Sequence, residues 1–253
     1  CRVHAGGYGD FADCGLVILA AGTNQRPGET REALLGRNRA ILQSILEQLT
    51  AVNRDAVLLV VSNPVDVLTG YTLELSGFPA ERVIGSGTVL DTARIKCLLG
   101  EKLGVDSRNV HAFMLGEHGD SEVAVWSSAN ISGADLDDFC LAAGIDDPES
   151  MLASLAREVT HAAYDIIERK GATCYGIAMA VRRIAEAIIR DEHAVLPVST
   201  LARGAYGIEG VCLGLPAVVG RSGVSQVLDL PLSRDETERL LASAHKLKTL
   251  MEG

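Results

Sequence analysis

The sequence has no apolar run long enough to cross a membrane. The longest runs, such as Ala56–Val61, fall far short of the roughly 20 residues that a transmembrane helix requires. No secretory signal opens the chain, and Cys1 is not a start residue, so we expect a fragment or a processed chain. With 253 residues, 47% of them hydrophobic and 22% charged, the composition is typical of a soluble protein with two domains.

A surplus of basic residues is also missing. Lysine and arginine together number 23, against 33 aspartates and glutamates, which gives a net charge of -10. We therefore expect no nucleic-acid partner, because such partners require a basic face. An acidic surface also repels anionic ligands at long range, so any anion site must be locally basic.

Cysteine pairs with the spacing of a metal or redox motif do not occur. The six cysteines stand apart, mostly within apolar segments, at positions 1, 14, 97, 140, 174 and 212. Neither a disulfide framework nor a zinc site fits this spacing, so we expect reduced core thiols in a cytoplasmic protein.

The glycine motif of a dinucleotide-binding fold is absent as well. Such a fold carries Gly-x-Gly-x-x-Gly after its first strand, with an acidic residue about 20 positions later. Gly6, Gly7 and Gly9 have a different spacing and no strand before them, so we expect a turn there.

In the first half of the chain, short apolar runs alternate with amphipathic segments. The apolar runs predict strands over Gly15–Ala20, Ala56–Val61, Arg82–Gly85 and Asn109–Leu115. The amphipathic segments predict helices over Glu32–Val52 and Thr88–Leu103. Pro64 favours the start of a further helix. Such alternation is typical of a parallel α/β sheet.

The second half has a different pattern, and we expect a separate α+β domain from about residue 86 onward. Long helices are predicted over Pro148–Lys170, Tyr175–Arg190 and Asp235–Met251. Strands of a separate antiparallel sheet are predicted over Ala194–Leu201, Gly210–Leu213 and Val224–Leu230. A cleft between two domains is a common place for a ligand.

Two polar segments next to these elements are candidates for chemistry. The loop 20–31 follows a strand where a lid would lie, although an ordinary solvated loop has the same composition. Asp91 and Arg94 share a helix face at positions i and i+3. They are either a surface ion pair or a working pair, in which Arg94 grips a carboxylate and Asp91 orients a base.

His118 follows a predicted strand and lies among glycines, so little would crowd a bound substrate. A lone histidine is more often structural than catalytic, and both interpretations stay open on these residues alone. Glu117, His118 and Asp120 would not converge on one ion from an extended segment, so we expect no metal site there.

Seven segments, taken together, give the chain a resemblance to a known family. They are AGTNQRPGETR (21–31), VSNPVD (61–66), GSGTVLDTAR (85–94), GEHGDSE (116–122), KGATCYGIA (170–178), LPVSTLARGAYG (196–207) and GLPAVVGRSG (214–223). In this order they resemble the lactate/malate dehydrogenase family over essentially the whole chain.

The resemblance implies an α/β fold with two domains. Residues 1–85 would be the C-terminal part of an NAD-binding Rossmann domain, an incomplete parallel sheet without its first strands and glycine loop. Residues 86–253 would be the catalytic, substrate-binding domain. The missing part corresponds to roughly two βαβ units, so we expect weak NADH binding and a tendency to aggregate.

The resemblance also implies hydride transfer between NAD and a 2-hydroxy or 2-keto acid. His118 matches the general acid and base, and Asp91 matches the residue that hydrogen-bonds the imidazole. Arg94 matches the clamp on the substrate carboxylate, and Arg31 the lid residue that polarises the keto group. Asn63 matches a residue that contacts both cofactor and substrate.

Further positions carry roles that the resemblance assigns. Thr173 matches a wall of the substrate pocket. The nicotinamide half of the cofactor site would be lined by Gly22, Ser44, Val61, Ser62, Asn63 and Ser86. Gln25 stands where malate enzymes have an arginine for a second carboxylate, so the resemblance favours pyruvate and lactate as substrates. Malate dehydrogenase activity remains the alternative, because Arg26 is adjacent.

Regulation and assembly complete what the resemblance implies. His111 matches the histidine of a fructose 1,6-bisphosphate site at a subunit interface, and Lys96 stands at the arginine position of that site. Both are equally well explained as ordinary surface groups. A homotetramer is expected from the family. The alternative to an enzyme is a truncated, catalytically silent chain that has only a structural or oligomerising role.

Overall fold

The computed structural model describes residues 2–23, 31–171 and 173–252. Its first half alternates strands and helices, in the order β1 (Leu16–Leu19), α1 (Arg31–Thr50), β2 (Val57–Val60), α2 (Val65–Ser76), β3 (Val83–Gly85) and α3 (Val89–Leu103). The second half follows with β4 (Val110–Leu115), β5 (Val123–Ile131), β6 (Ala134–Asp135), α4 (Leu136–Ala142), α5 (Pro148–Lys170), α6 (Tyr175–Ile189), β7 (Ala194–Arg203), β8 (Glu209–Gly220), β9 (Gly223–Val227) and α7 (Arg234–Glu252).

The strands β1, β2 and β3 form the parallel part of a sheet, which confirms the α/β prediction. Leu16 pairs with Val57 and Leu58 with Val83, so β2 lies between its two neighbours. Every residue of β2 is buried, as expected for a parallel strand that helices cover on both faces.

Local signals explain where the long helix α5 begins and ends. Asp147 precedes it, and its carboxylate accepts a hydrogen bond from the backbone N–H of Ser150 at 3.0 Å. Pro148 occupies the first helical position, where a missing N–H costs nothing. Gly171 ends the helix in the left-handed region at φ 76°, which favours glycine.

The prediction of a separate sheet for β7, β8 and β9 is wrong. These strands are antiparallel to one another, but they continue the first sheet in the order β1-β2-β3-β7-β8-β9. The junction is the pairing of Gly85 with Ser199. A Cβ atom at Gly85 would collide with Thr69 and lie 2.9 Å from Cβ of Ser199, so this close approach requires glycine.

A second sheet contains β4, β5 and β6, of which only β4 was predicted. It packs with α3, α4 and α5 around a core of its own that includes Ile95, Met114 and Leu155. The loop between β4 and β5 leaves this sheet and carries residues 116–122. It meets the larger sheet where Gly116 and Gly214 exchange backbone hydrogen bonds at 2.9 and 2.8 Å.

Five cysteines lie within the described residues, and all five are free thiols. Cys140 and Cys212 are buried as predicted, whereas Cys97 and Cys174 are exposed, so the prediction of core thiols is wrong for these two. The helices of the described ranges include none with the length and apolarity needed to span a membrane.

Candidate functional site

The elements that resemble family motifs converge on one cleft. The loop 116–122 brings His118 there from the end of β4, and the first turn of α3 brings Asp91 and Arg94. The carboxyl ends of β1 and β2 contribute Thr23 and Asn63. In a parallel sheet these ends form the edge at which ligands bind.

His118 and Asp91 form a largely buried ionisable pair in this cleft. The Nδ1 atom of His118 lies 2.7 Å from Oδ2 of Asp91, whose side chain is only 3% exposed. Burial by itself would lower the pKa of His118, but the hydrogen bond and the charge of Asp91 outweigh burial and raise this pKa to about 9. The imidazole is therefore held in its protonated form at neutral pH.

Arg94 shares the same carboxylate. Its Nη1 atom donates to Oδ1 of Asp91 at 2.9 Å, and its side chain is 19% exposed. The pair of Arg94 and Asp91 is too buried to be an ordinary ion pair on the surface. The arrangement leaves the remaining guanidinium N–H groups of Arg94 near the cleft, where they can bind an anion.

Asp66 fixes the backbone of His118. Its Oδ2 atom accepts the N–H of His118 at 2.7 Å, although the two residues are 52 positions apart in sequence. Asp66 is 2% exposed, and burial raises its pKa to about 6 despite the stabilising His118 N–H. The carboxyl is a link between the loop 116–122 and the first turn of α2.

The C-terminal helix α7 supports the same loop from the other side. The N–H of Glu117 donates to Oγ of the fully buried Ser243 at 2.8 Å, and Lys246 donates to Oε2 of Glu117 at 2.6 Å. The hydroxyl of Ser121 bonds the carboxylate of Glu117 as well. These contacts hold the loop that carries His118 on both of its flanks.

Glu122 lies behind the His118–Asp91 pair. Its side chain accepts a hydrogen bond from Thr160 of α5 at 2.9 Å, and the residue is 6% exposed. Burial, reinforced by the charge of Asp91, raises the pKa of Glu122 far above its ordinary value of 4.5. One oxygen of each carboxyl and one ring nitrogen of His118 lie within 4.8 Å of one another.

Asp91, His118 and Glu122 are enough groups for a metal centre, but their protonation and their cationic partners do not suit one. A divalent cation prefers carboxylate and imidazole ligands that are unprotonated and free of other cations. The guanidinium of Arg94 already bonds Asp91, and the ring of His118 bonds the same carboxylate. The converging groups are Asp91, His118 and Glu122, a different set from Glu117, His118 and Asp120, for which we expected no metal site.

The cleft has a volume of about 400 Å³, which suits a small ligand. Four of its lining residues were singled out from the sequence, namely Asn63, Asp91, Arg94 and His118. Apolar side chains of α1, α5 and α7 cover much of the remaining wall, including Leu35, Val159 and Leu250.

Three of the residues assigned to the nicotinamide half of a cofactor site, Gly22, Val61 and Ser62, lie at the adjoining ends of β1 and β2. The hydroxyl of Ser62 donates to the carbonyl of Ala21 at 2.7 Å, and a Cβ at Gly22 would lie 3.5 Å from Ser62. Val61 follows β2 and donates its N–H to the carbonyl of Leu19. These contacts hold the two strand ends together.

Other predicted positions are placed differently. Ser86 is buried, and its N–H donates to the carbonyl of Val60 at 2.8 Å. Ser44 lies on an exposed face of α1, where Gln48 bonds its carbonyl oxygen, away from the residues that line the cleft. Thr173 is half-buried and is not among those lining residues.

Two predicted residues have side chains outside the described part of the structure. Gln25 and the lid segment 24–30 lie outside the described residues. Arg31 begins α1. Lys96 and His111 lie on α3 and β4, where Lys96 is half-buried and His111 is exposed.

Sequence reasoning missed several residues that shape the site. They are Asp66, Glu122, Thr160, Ser243 and Lys246. Asp66 and Glu122 stand inside the segments VSNPVD and GEHGDSE, which resemble family motifs. Their position within these motifs could have marked them as site residues. Ser243 and Lys246 contact the loop from more than 120 positions away, and no local pattern marks them.

Family models match nearly the whole chain. Residues 1–85 match the NAD binding domain of the lactate/malate dehydrogenases, and residues 88–253 match their alpha/beta C-terminal domain. The cofactor of the chain is accordingly NAD.

Curated relatives cover the chain at about half identity. An L-lactate dehydrogenase of Clostridium perfringens is 49% identical over 97% of this chain and 78% of its own length. One from Streptococcus gordonii is 51% identical over 99% of this chain and 76% of its own length. One from Acetivibrio thermocellus is 47% identical over 99% of this chain and 79% of its own length.

Solved structures have the same fold. The ligand-bound minor L-lactate dehydrogenase of Enterococcus mundtii is 43% identical with a TM-score of 0.92, over 98% of this chain and 78% of that one. A lactate dehydrogenase from a Medee basin deep-sea metagenome library is 43% identical with a TM-score of 0.94. The match covers 98% of this chain and 79% of that one. On these matches and this site, the chain belongs to the lactate/malate dehydrogenase family.

Proposed function

We propose that the chain has L-lactate dehydrogenase activity, the reversible reduction of pyruvate to (S)-lactate with NADH. The observation that supports this most is the buried carboxylate of Asp91, which bonds both His118 and Arg94 in one small cleft. Such a group supplies a protonated base and an anion-binding cation side by side. A 2-keto acid needs both, one at its carbonyl and one at its carboxylate.

His118 acts as the general acid in pyruvate reduction and as the general base in lactate oxidation. Its free ring nitrogen, Nε2, faces the substrate because Nδ1 is bonded to Asp91. Asp91 favours the imidazolium, and Asp66 holds the backbone of His118 so that the ring keeps its place. A positioned acid of this kind contributes about 10²–10⁴-fold to the rate.

Arg94 binds the substrate carboxylate through N–H groups that Asp91 leaves unused. Asp91 orients the guanidinium by its bond to Nη1, so less side-chain freedom is lost on binding. Arg31 polarises the keto oxygen, and Asn63 contacts the carbonyl. A cation aimed at the developing alkoxide contributes on the order of 2.7–4 kcal/mol.

The cofactor, when bound as NADH, would supply the hydride that reduces C2 of pyruvate. Residues that would hold its nicotinamide half are Gly22, Val61, Ser62, Asn63 and Ser86, whereas Ser44 lies on the exposed face of α1 and is not retained. The apolar wall from Leu35, Val159 and Leu250 excludes water from this part of the cleft.

Gln25 selects pyruvate over oxaloacetate in this proposal. A neutral side chain suits a methyl group, whereas an arginine facing a methyl group would be a desolvated, unpaired charge. The test compares kcat/KM for pyruvate and oxaloacetate in the wild type and in Gln25→Arg. We expect a wild-type preference for pyruvate, which the substitution shifts toward oxaloacetate. Preferred turnover of oxaloacetate by the wild type would instead support the malate enzyme.

His118→Gln provides the control for this assay, because it keeps the size but loses the acid. Turnover that persists in His118→Gln would exclude the proposed mechanism. No turnover of either keto acid by the folded wild type, together with no NADH binding, would support the catalytically silent chain.

The proposal extends to assembly, regulation and location. Residues 1–85 form the cofactor domain and 86–253 the substrate domain of a homotetramer. Lys96 and His111 form an anion site for fructose 1,6-bisphosphate at a subunit interface. Burial lowers the pKa of Lys96, so a bound anion would be needed to stabilise its charged form there. The free thiols fit the reducing cytoplasm, where a fermentative enzyme of glycolysis works.

A further inference from the structure

Glu122 lies in the cleft without a role in the proposed mechanism. It is nearly as buried as Asp91, with exposed fractions of 6% and 2%. A carboxyl oxygen of each residue and a ring nitrogen of His118 are within 4.8 Å of one another. Glu122 is therefore close enough to interact with the charge on His118 strongly.

The two carboxyls differ in their hydrogen-bond partners, and this difference indicates which of them carries a proton. Asp91 bonds two cations, Arg94 at 2.9 Å and His118 at 2.7 Å. Among the described side chains, Thr160 is the one that hydrogen-bonds the carboxyl of Glu122. A second buried anion without a cationic partner would be costly, and a proton on Glu122 removes that cost.

We propose that Glu122 and His118 titrate as a coupled pair, in which Glu122 releases its proton to solvent first and the resulting carboxylate then retains the proton on His118. The order follows from the bonds, because the imidazolium is paired with Asp91 and the carboxyl of Glu122 is not. Two such groups lose their protons in two steps, and the pKa of each step is a property of the pair and not of one residue.

The consequence concerns the alkaline side of the pH range. His118 stays protonated to a higher pH than Asp91 alone would allow. Pyruvate reduction requires this protonated form, so Glu122 extends reduction toward alkaline pH. This consequence for turnover rests on the proposed function, whereas the coupled titration itself does not.

Charged groups of several elements line the same pockets as Glu122. They are Asp91 and Arg94 of α3, Glu117, His118 and Asp120 of the loop, Asp137 of α4, Glu149, Arg157 and His161 of α5, and Arg239 and Lys246 of α7. Glu117 and Lys246 pair with each other. The groups of α4 and α5, together with Asp120 and Arg239, are exposed and of mixed sign, so solvent and salt screen them. Asp91, Arg94 and His118 remain as the dominant partners.

The test follows the ring of His118 by NMR during a pH titration of the whole chain. The sequence has six histidines, and the signal of His118 is the one that His118→Gln removes. In the wild type we expect two inflections. In Glu122→Gln we expect one inflection, with the main pKa of His118 lowered by roughly one unit, because the retaining carboxylate is gone.

Glu149→Gln is the matched control, since it removes one carboxylate from an exposed position of α5. We expect its His118 titration to equal that of the wild type. Thr160→Val is a second variant that leaves Glu122 in place. Losing the hydroxyl that stabilises the carboxylate should move the first inflection to higher pH.

Two results would overturn the proposal. One is an unchanged His118 curve in Glu122→Gln, and the other is a first inflection that Thr160→Val leaves in place. The Thr160→Val titration decides alone if Glu122→Gln does not fold. Turnover separates the two proposals: the alkaline limb of kcat/KM for pyruvate should move to lower pH in Glu122→Gln. Absence of turnover in the wild type would reject the proposed function, while the NMR titration still decides the coupling.

Discussion

The backbone N–H of His118 donates to Oδ2 of Asp66 at 2.7 Å. His118 is thus held at two places, because its ring is bonded separately to Asp91. Asp66 follows the cis peptide bond between Asn63 and Pro64, in the first turn of α2. Since Asn63 lines the cleft, one short segment contributes both a cleft residue and an anchor for the loop 116–122.

Asp66→Ala should destabilise the chain by about 1–3 kcal/mol, because the buried N–H of His118 loses its acceptor. Asp66→Asn keeps an acceptor oxygen and should cost less. Urea unfolding of the three proteins measures both values. Equal losses for alanine and asparagine would mean that the charge of Asp66, and not the hydrogen bond, matters.

Arg94→Lys should raise KM for pyruvate by about 10- to 100-fold with a smaller change in kcat. A lysine keeps the charge but cannot bond Asp91 and a carboxylate through one planar fork. Steady-state kinetics measure the effect. Arg157→Lys, on the exposed part of α5, is the control and should leave KM unchanged. An unchanged KM in Arg94→Lys would remove Arg94 from the substrate site.

Apolar periodicity predicted most elements of the first half, because each of β1, α1, β2 and α3 carries its own pattern of burial. Those helices and strands were confirmed within a few residues. The strand β5 was missed, since the polar residues Ser127 and Ser128 interrupt its apolar pattern. Its stability comes from pairing with β4 and β6, which no local pattern records.

Only those site residues that stand in the family motifs could be predicted from the sequence. His118, Asp91 and Arg94 meet as the family resemblance implied, whereas residues that hold them were not found. Asp66 and Ser243 contact the loop across 52 and 126 positions of sequence. The junction between the parallel and antiparallel parts of the larger sheet was likewise missed, because nothing in the sequence around Gly85 indicates a pairing with Ser199, 114 positions away.

The free energy of unfolding should fall as pH rises from about 6.5 to about 9. The pKa of His118 is about 9 in the folded chain and 6.5 as its ordinary value, so its contribution is full below 6.5 and is lost as pH passes 9. The raised pKa of Glu122 acts in the same direction, because the unfolded chain releases this proton at lower pH. Urea unfolding across this range measures the slope. Glu122→Gln should lose less stability than the wild type over the same range, and an equal slope would contradict the raised pKa of Glu122.

Ser243→Ala should lower both stability and turnover. Ser243 is fully buried, and its hydroxyl is the acceptor for the N–H of Glu117, the residue before His118. Without that acceptor the buried N–H is unsatisfied, which costs about 1–3 kcal/mol.

The loop can relieve this cost only by moving toward water, and such movement carries His118 away from Asp91. We therefore expect kcat for pyruvate to fall while KM changes little, because Arg94 lies on α3 and does not move with the loop. Ser222→Ala, at an exposed turn, is the control for stability and kinetics. A stability loss with unchanged kcat would show that α7 supports the fold without positioning His118.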